Sequence, residues 1–477
     1  MLKKIALGVS IVALLSGQAL AAPGNTSTVT QASEGNAASV DQDLSQWGSD
    51  STIDQSGSSN SATVLQRDDG SSVGSSAANS STILQGGDSN TALVTQRSLN
   101  AADDDAAQNY SSIDQAGSGG TAEVLQVGQA ASSYVTQLGA DQIAFVEQRG
   151  PGVDLSTVTQ DGSGNSTNVF QRGVDESAVI TSSVDQSGDI HAASVTQVGM
   201  EATSLIVQTG VGQTATVNQN SEGGGALFSD ILQDNEANVA GVLQRGVEAS
   251  SVVTQTGVYG VATIDQNSDG GGLLDSSVSQ NGDTDSATVT QRGVSALSLV
   301  EQDAGVSLVA TVSQNSAGGG LLDSAVYQTG EGQSASVTQS GEAAQSSVYQ
   351  EGAYQIATVS QISSGVDGLA SSITQIDSDN IATVSQSGQG PVSSIVEQSG
   401  SYMEVTVTQN GSELSSEVFQ SAGTGSVTTV DQSGEIKTSL VTQEGDGHLA
   451  SVQQLSGTAA VSQIYQSGIG NTANVSQ

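Results

Sequence analysis

The sequence predicts an all-β fold, a parallel β-solenoid with two strands in each coil of about 22 residues and about 19 coils. Three observations predict it. Apolar and polar residues alternate in short runs, as at Asn60, Ala62, Val64 and Gln66, and a strand sends residues two apart to one face. The runs end in apolar-x-Gln, and neighbouring ends are most often 11 residues apart. Numbered alternately from Gln31 as odd, the links of 13 residues or more all follow an even Gln: Gln42, Gln66, Gln96, Gln171, Gln219, Gln266, Gln314 and Gln361. The simplest cause of that parity is a coil of two strands with two unlike corners, one tight and one tolerant of insertions.

Composition agrees with such an array. The chain has 477 residues with 58 Gly, no Cys and 3% aromatic residues, too few large apolar side chains for one globular core of that length. Coils that touch only their neighbours do not need them. A net charge of −40 makes nucleic acid and anionic membrane surfaces poor partners. No stretch after the first residues is apolar enough to span a bilayer, and without Cys no disulfide stabilises the chain.

Residues 1–21 read as a secretory signal peptide: Lys3 and Lys4, an apolar run from Ile5 to Leu15, and Ala19-Leu20-Ala21 at the cleavage positions. The repeat occupies 22–477, irregular over 22–130 and regular over 131–477. In the irregular part, polar loops run from Arg67 to Ser81 and from Arg97 to Tyr110. They include Asp103-Asp104-Asp105, read as a solvated acidic loop in preference to a calcium site, and Trp47 sits in another irregular link. In the regular part, Gly-Gly-Gly insertions near 223, 270 and 318 mark the tolerant corner. They lack the Gly-Lys-Ser/Thr of a phosphate cradle. Pro151 and Pro391 fall in tolerant links, where no ladder N–H is lost.

All six arginines, Arg67, Arg97, Arg149, Arg172, Arg245 and Arg292, directly follow an even Gln, and Lys437 lies in the same class of link. The cations therefore form a basic edge, neutralised locally by acids such as Asp68, Asp69, Asp175, Glu176 and Glu248. Gly57, Gly117, Gly162, Gly188 and Gly468, just after odd Gln residues, are assigned to the tight corner.

The alternation also predicts which face is inward: Ala, Val and Ser in the middle, with Gln and Asn amides near the strand ends. Buried unpaired amides cost about 1–3 kcal/mol each, so dozens of them require a partner. Stacking coils at strand spacing, about 4.8 Å, supplies it as an amide ladder. The ladder is expected at Gln55, Gln66, Gln160, Asn165, Gln171, Gln244, Gln255, Gln291, Gln339, Gln350, Gln386, Gln443, Gln454, Gln466, Asn471 and Gln477. Outward positions carry Asp54, Asp114, Asp185, Tyr327 and Tyr349, the two tyrosines in adjacent coils. The chain stops at Gln477 on a finished strand, which predicts an open edge that templates another copy.

Gln466–Gln477 reads Gln-x-Gly-x-Gly-Asn-x-Ala-x-Val-x-Gln, with a close copy at Gln160–Gln171 (Thr167 for Ala) and another at Gln55–Gln66. This spacing resembles the curlin repeat of bacterial curli subunits. The likeness covers essentially all of the chain after residue 21. It departs in its many repeats, its Gly-Gly-Gly insertions and the Asn positions replaced by Gly120, Asp285 and Gln333. The resemblance implies a homopolymeric extracellular amyloid fibre on a Gram-negative cell surface, serving biofilm matrix and adhesion. It also implies a nucleator subunit, an outer-membrane export pore and a periplasmic chaperone as partners.

Other classes fit less well. An enzyme needs a cluster of acids or a base, and the two histidines, His191 and His448, stand in unlike contexts and read as surface residues, so no catalytic, cofactor or metal residue is assigned. An ice-binding solenoid would use Thr-x-Thr pairs on successive coils, whereas Thr288/Thr290, Thr406/Thr408 and Thr157/Thr159 look scattered along the chain. A monomeric secreted adhesin is the remaining alternative.

Overall fold

The computed structural model describes residues 25–43, 48–68, 79–98, 108–268, 272–316, 320–365, 367–455 and 457–477. The expected signal peptide, Trp47, the Asp103–Asp105 loop and the middle of two Gly-Gly-Gly insertions lie outside them. The described residues form parallel strands and the turns between them, with no α-helix, so no helix is long and apolar enough to cross a membrane. The chain forms two compact units, Met1–Gln233 and Asp234–Gln477.

Each unit is a parallel β-solenoid. A strand pairs with the next but one, as two strands per coil require. In the first unit Asp50–Gln55, Ser80–Gln85, Tyr110–Gln115 and Ser132–Gln137 make one sheet. Ser61–Asp68, Thr91–Ser98, Thr121–Gly128 and Ile143–Gly150 make the other. In the second unit Ser286–Gly293, Val309–Ser316, Ser334–Gly341, Ile356–Ser363 and Ile381–Gly388 pair in turn on one side. Leu322–Glu331, Ala344–Ala353, Leu369–Ser378 and Val392–Ser401 do so on the other.

Register is fixed by the repeat: Gln lies opposite Gln, Val or Ile opposite Val or Ile. A slip of one residue would turn every buried side chain outward. The strands before and after the two polar loops of the first unit hold the same register, so the irregularity of that region is confined to its links. Tyr327 and Tyr349 are register partners as expected, and the Tyr349 hydroxyl donates to Glu351.

The core is thin and lies between the two sheets. Ile53, Val64, Val94 and Val124 are fully buried, with Ala62, Ala92 and Ala122 beside them. In the second unit Leu274, Leu322 and Leu369 fill the tolerant corner.

The tight corner is a short arc from odd Gln to the residue five positions on. The residue just before the end of that arc is left-handed: Gly164 (φ 67°), Gly470 (φ 66°), but also Ser59 (φ 60°), Ile190 (φ 60°), Tyr259 (φ 59°) and Tyr354 (φ 54°). Its N–H donates to the carbonyl of the coil before, as Gly164 does to Ala140 at 2.9 Å. The glycine two residues earlier lies in the tight corner as expected and has a further task there. Gly57, Gly87, Gly117, Gly139 and Gly162 stack on one another, and a Cβ on Gly139 would lie 1.6 Å from the Gly162 carbonyl oxygen. Backbones meet at that glycine, and at Gly162 (φ 103°), Gly188 (φ 126°) and Gly468 (φ 101°) it also has a positive φ, with the left-handed residue two positions further on.

Candidate functional site

Two columns of glutamine carboxamides run through each unit, one at the end of each sheet. In the first unit Gln55 Nε2 donates to Gln85 Oε1 at 2.7 Å, Gln66 to Gln96 at 2.9 Å, Gln160 to Gln186 at 2.9 Å and Gln171 to Gln197 at 3.0 Å. In the second, Gln244 donates to Gln266, Gln255 to Gln280, Gln291 to Gln314, Gln339 to Gln361 and Gln350 to Gln375, all at 2.7–2.9 Å. Gln386 donates to Gln409 at 2.9 Å, Gln443 to Gln466 at 2.8 Å and Gln454 to Gln477 at 3.0 Å. Each Nε2 has a second hydrogen, and it crosses the core to a backbone carbonyl of the facing sheet: Gln66 to Asp50, Gln85 to Ser61, Gln386 to Ala370. An interior amide thus gives two hydrogen bonds and accepts one.

The asparagines behave differently. Asn165 does not join an amide ladder. Its Oδ1 accepts the backbone N–H of His191, one coil on, and its Nδ2 donates to the carbonyls of Asp161 and Gly188, each at 2.9 Å. The short side chain at the corner reaches only backbone, so it clamps successive arcs together. Asn471 Nδ2 donates to the Ser467 carbonyl in the same way.

His191 and His448 occupy this same clamp position and are both 1% exposed, which corrects their reading as surface residues. His191 Nδ1 accepts the Gln213 N–H and its Nε2 faces the Ser187 carbonyl; His448 does the same with Asn471 and Glu444. Only the neutral Nε2–H tautomer satisfies both contacts. Burial accordingly holds the His191 imidazole below its usual value. Counting five residues from each odd Gln would have exposed the match, since both histidines fall there.

Asp285 takes the clamp position too. Its Oδ1 accepts the Leu308 N–H at 2.9 Å, while Oδ2 makes no well-formed hydrogen bond among the described residues. Burial raises its carboxyl to about 6 and that of Asp154, at the tolerant corner, to about 7. A group that binds its proton more tightly when folded weakens the fold above that value and relieves it as pH falls toward the unfolded value. Asp285→Asn supplies the missing donors. It is expected to gain about 2–3 kcal/mol locally at pH 7.5 and almost nothing near pH 4, from a shift of about two units at 1.36 kcal/mol each. Amide hydrogen exchange over residues 280–314 at both values checks it, and an equal gain at both would show that ionisation is not the cause.

A third column is hydroxylic. Ser111, Ser133, Ser156, Ser182 and Ser204 are register neighbours, all buried, and their Oγ atoms have no partner among the described residues. Ser182→Ala is therefore expected to stabilise its coil by about 1 kcal/mol, because an unsatisfied hydroxyl is removed without leaving a cavity. Hydrogen exchange across residues 179–208 measures it; lost protection would mean the hydroxyl is bonded.

The six arginines of the expected basic edge share one class of position. Arg67, Arg97, Arg149, Arg172, Arg245 and Arg292 sit at the even strand ends, and all six are exposed. Arg149 pairs with Glu147 on its own strand. Lys437 is not on this edge. It is fully buried, replacing the leucine of other coils, and its Nζ donates to the Gln454 carbonyl at 2.9 Å.

The Thr-x-Thr pairs are less scattered than the sequence suggested. Thr288/Thr290 and Thr406/Thr408 lie on one sheet, and the coils between carry Thr311/Ser313, Ser336/Thr338, Thr358/Ser360 and Thr383/Ser385 in register. Six successive coils thus present paired hydroxyls outward. Thr157/Thr159 lies elsewhere, in the first unit.

No protein-family model matches the sequence, and no curated protein matches it.

Proposed function

We propose that the protein is a secreted, non-enzymatic structural subunit that adds copies of itself end to end by parallel strand pairing, forming an extracellular amyloid-type fibre for biofilm matrix and surface adhesion. What supports this reading most is the direction of the ladders. In the ladder bonds described above the earlier coil donates and the later coil accepts, from Gln31 to Gln55 through Gln454 to Gln477. A coil therefore has a donor side and an acceptor side, and any coil's donor side fits any other's acceptor side. Such unlike, complementary surfaces build open filaments unless rotation closes a ring. Buried amides left open at an interface are costly, and a second copy offers the same carboxamides at the same step.

The curlin-like spacing extends this reading to partners: a nucleator, an export pore and a periplasmic chaperone that holds off early assembly. Purified protein with residues 1–21 removed is expected to bind an amyloid dye after a lag that preformed fibres abolish. A monomer that persists at micromolar concentration and ignores seeds would count against the fibre and for the solitary adhesin.

A second reading rests on the hydroxyl face of the second unit, whose charge-free two-dimensional array suits an ordered water lattice. Inhibition of ice recrystallisation that Thr311→Lys and Thr383→Lys remove together would favour it.

A further inference from the structure

The tight corner of the second unit carries exposed aromatic rings where the backbone favours glycine. The left-handed residue of the arc runs from Tyr259 through Thr284, Ser307, Gly332, Tyr354 and Asp379 to Tyr402, each N–H donating to the arc of the coil before. The three tyrosines have φ 59°, 54° and 57° and are 52%, 53% and 64% exposed. A bulky side chain adopts that conformation only at a cost. Glycine holds the same place at Gly332, Gly425 and Gly447, so the turn itself does not call for a ring.

Two of the rings are held in place. The Tyr259 hydroxyl donates to Glu236 at 3.2 Å and the Tyr354 hydroxyl to Glu331 at 2.6 Å, each carboxylate lying one coil back. A Cβ on Gly332 would lie 2.7 Å from Tyr354 Cδ1 and 2.8 Å from its Cε1, so this ring lies across bare backbone. Val261 and Ile356, two residues on from Tyr259 and Tyr354, add exposed apolar surface beside them. A held, half-exposed ring offers wide contact and loses little freedom when something stacks on it. Between the rings the ridge is polar. The Thr284 and Ser307 hydroxyls lie 3.0 Å apart, and Asp379 follows Tyr354. No link from an odd Gln to the next even Gln contains a Lys or Arg anywhere in the chain.

These features select one kind of occupant. Polyanions are repelled by the acids. An apolar peptide would bury the ridge's hydroxyls and carboxylates without partners. A hexopyranose unit has a face of C–H bonds suited to the negative face of a tyrosine ring, and a rim of hydroxyls that donate to carboxylates. We propose that the tight corner of the second unit binds an extended neutral polysaccharide, its sugar rings stacked on Tyr259, Tyr354 and Tyr402 and its hydroxyls donating to Glu236, Glu331 and Asp379. At about 4.8 Å per coil the successive tyrosines stand about 19 Å and about 10 Å apart. A single sugar therefore reaches one ring, and only a chain engages all three together. The ridge lies within one subunit, so this inference goes beyond the end-to-end reading and does not rest on it.

Native electrophoresis of the soluble protein, with residues 1–21 removed, through gels containing a neutral β-glucan tests the proposal whether or not fibres form later. Migration is expected to be retarded, and the retardation to be relieved by oligosaccharides of the same glucan but not by glucose. Gels containing alginate, an anionic glycan, should not retard it. Tyr259→Gly, Tyr354→Gly and Tyr402→Gly together leave the charge unchanged and should abolish retardation. Hydrogen-exchange protection over residues 255–409 should hold or rise in that variant, because the left-handed strain is relieved. The three Tyr→Phe substitutions keep the stacking face and should keep most of the retardation, which decides the matter if the Gly variant loses protection. Unchanged retardation of the Gly variant, a folded Phe variant that binds nothing, or alginate binding as strong as glucan binding would overturn the proposal. So would free migration of the parent through both β-glucan and a neutral mannan.

Discussion

Gly139→Ala is expected to pry apart two adjacent coils, at a local loss of about 3 kcal/mol or more. The new Cβ would sit 1.6 Å from the carbonyl oxygen of Gly162, 2.6 Å from its carbonyl carbon and 2.7 Å from its nitrogen. All three are backbone atoms, so no side chain can rotate away. The arcs must separate instead, straining the bond from Ala140 N–H to the Gly162 carbonyl, 2.8 Å long. Gly164→Ala, in the arc of the next coil, is the control. Its φ of 67° taxes any side chain, but the nearest atom to its Cβ is Ile190 Cγ1 at 3.7 Å. Only the left-handed penalty applies there, about 1–2 kcal/mol, and Ile190 itself already accepts that conformation. Hydrogen-exchange protection over residues 137–165 should therefore fall far more for Gly139→Ala than for Gly164→Ala. Equal losses would mean that turn geometry, not close approach, selects glycine at both.

The contrast between those two glycines marks how far the sequence could be read. Period, parity and alternation are one-dimensional properties, and they determine which residues stack, because each coil repeats the last. Hence Gln55 meets Gln85 and the long links share one corner. What the spacing does not encode is the shape of the arc. It does not say which of two glycines is left-handed, or that a short amide at its end reaches backbone and not its own kind. Nor does a ruler based on Gln register a lone His or Asp. His191, His448 and Asp285 look unrelated as letters, and become equivalent only once the arc places each against the next coil's N–H. Lys437 misleads for a similar reason: its charge suggests the edge, while its place in the column is that of a core leucine.

The amide ladder yields the other large effect, at Gln386. Its Nε2 donates to Gln409 Oε1 and the Ala370 carbonyl, both at 2.9 Å, and its Oε1 accepts from Gln361 Nε2 at 2.7 Å. Gln386→Leu preserves bulk but strands a buried donor below and a buried acceptor above. At about 1–3 kcal/mol for each orphaned group, the expected local loss is about 2–6 kcal/mol. Gln386→Glu differs in kind. An ionised carboxylate still accepts from Gln361, yet it faces the oxygens of Gln409 and Ala370 with no proton to give. Its carboxyl is therefore expected to be raised by burial. Stability should be lowest above that raised value and recover as acid restores an O–H, the reverse of an ordinary salt-bridged acid. Thr383→Val, outward on the same strand, should stay within about 0.5 kcal/mol of the parent. Hydrogen exchange over residues 356–420 reads the three variants, and seeded growth of variants carrying Leu in several successive ladder positions reads the assembly. If growth responds to Thr383→Val as strongly as to loss of the carboxamides, hydrogen-bonded glutamines are not what joins one copy to the next.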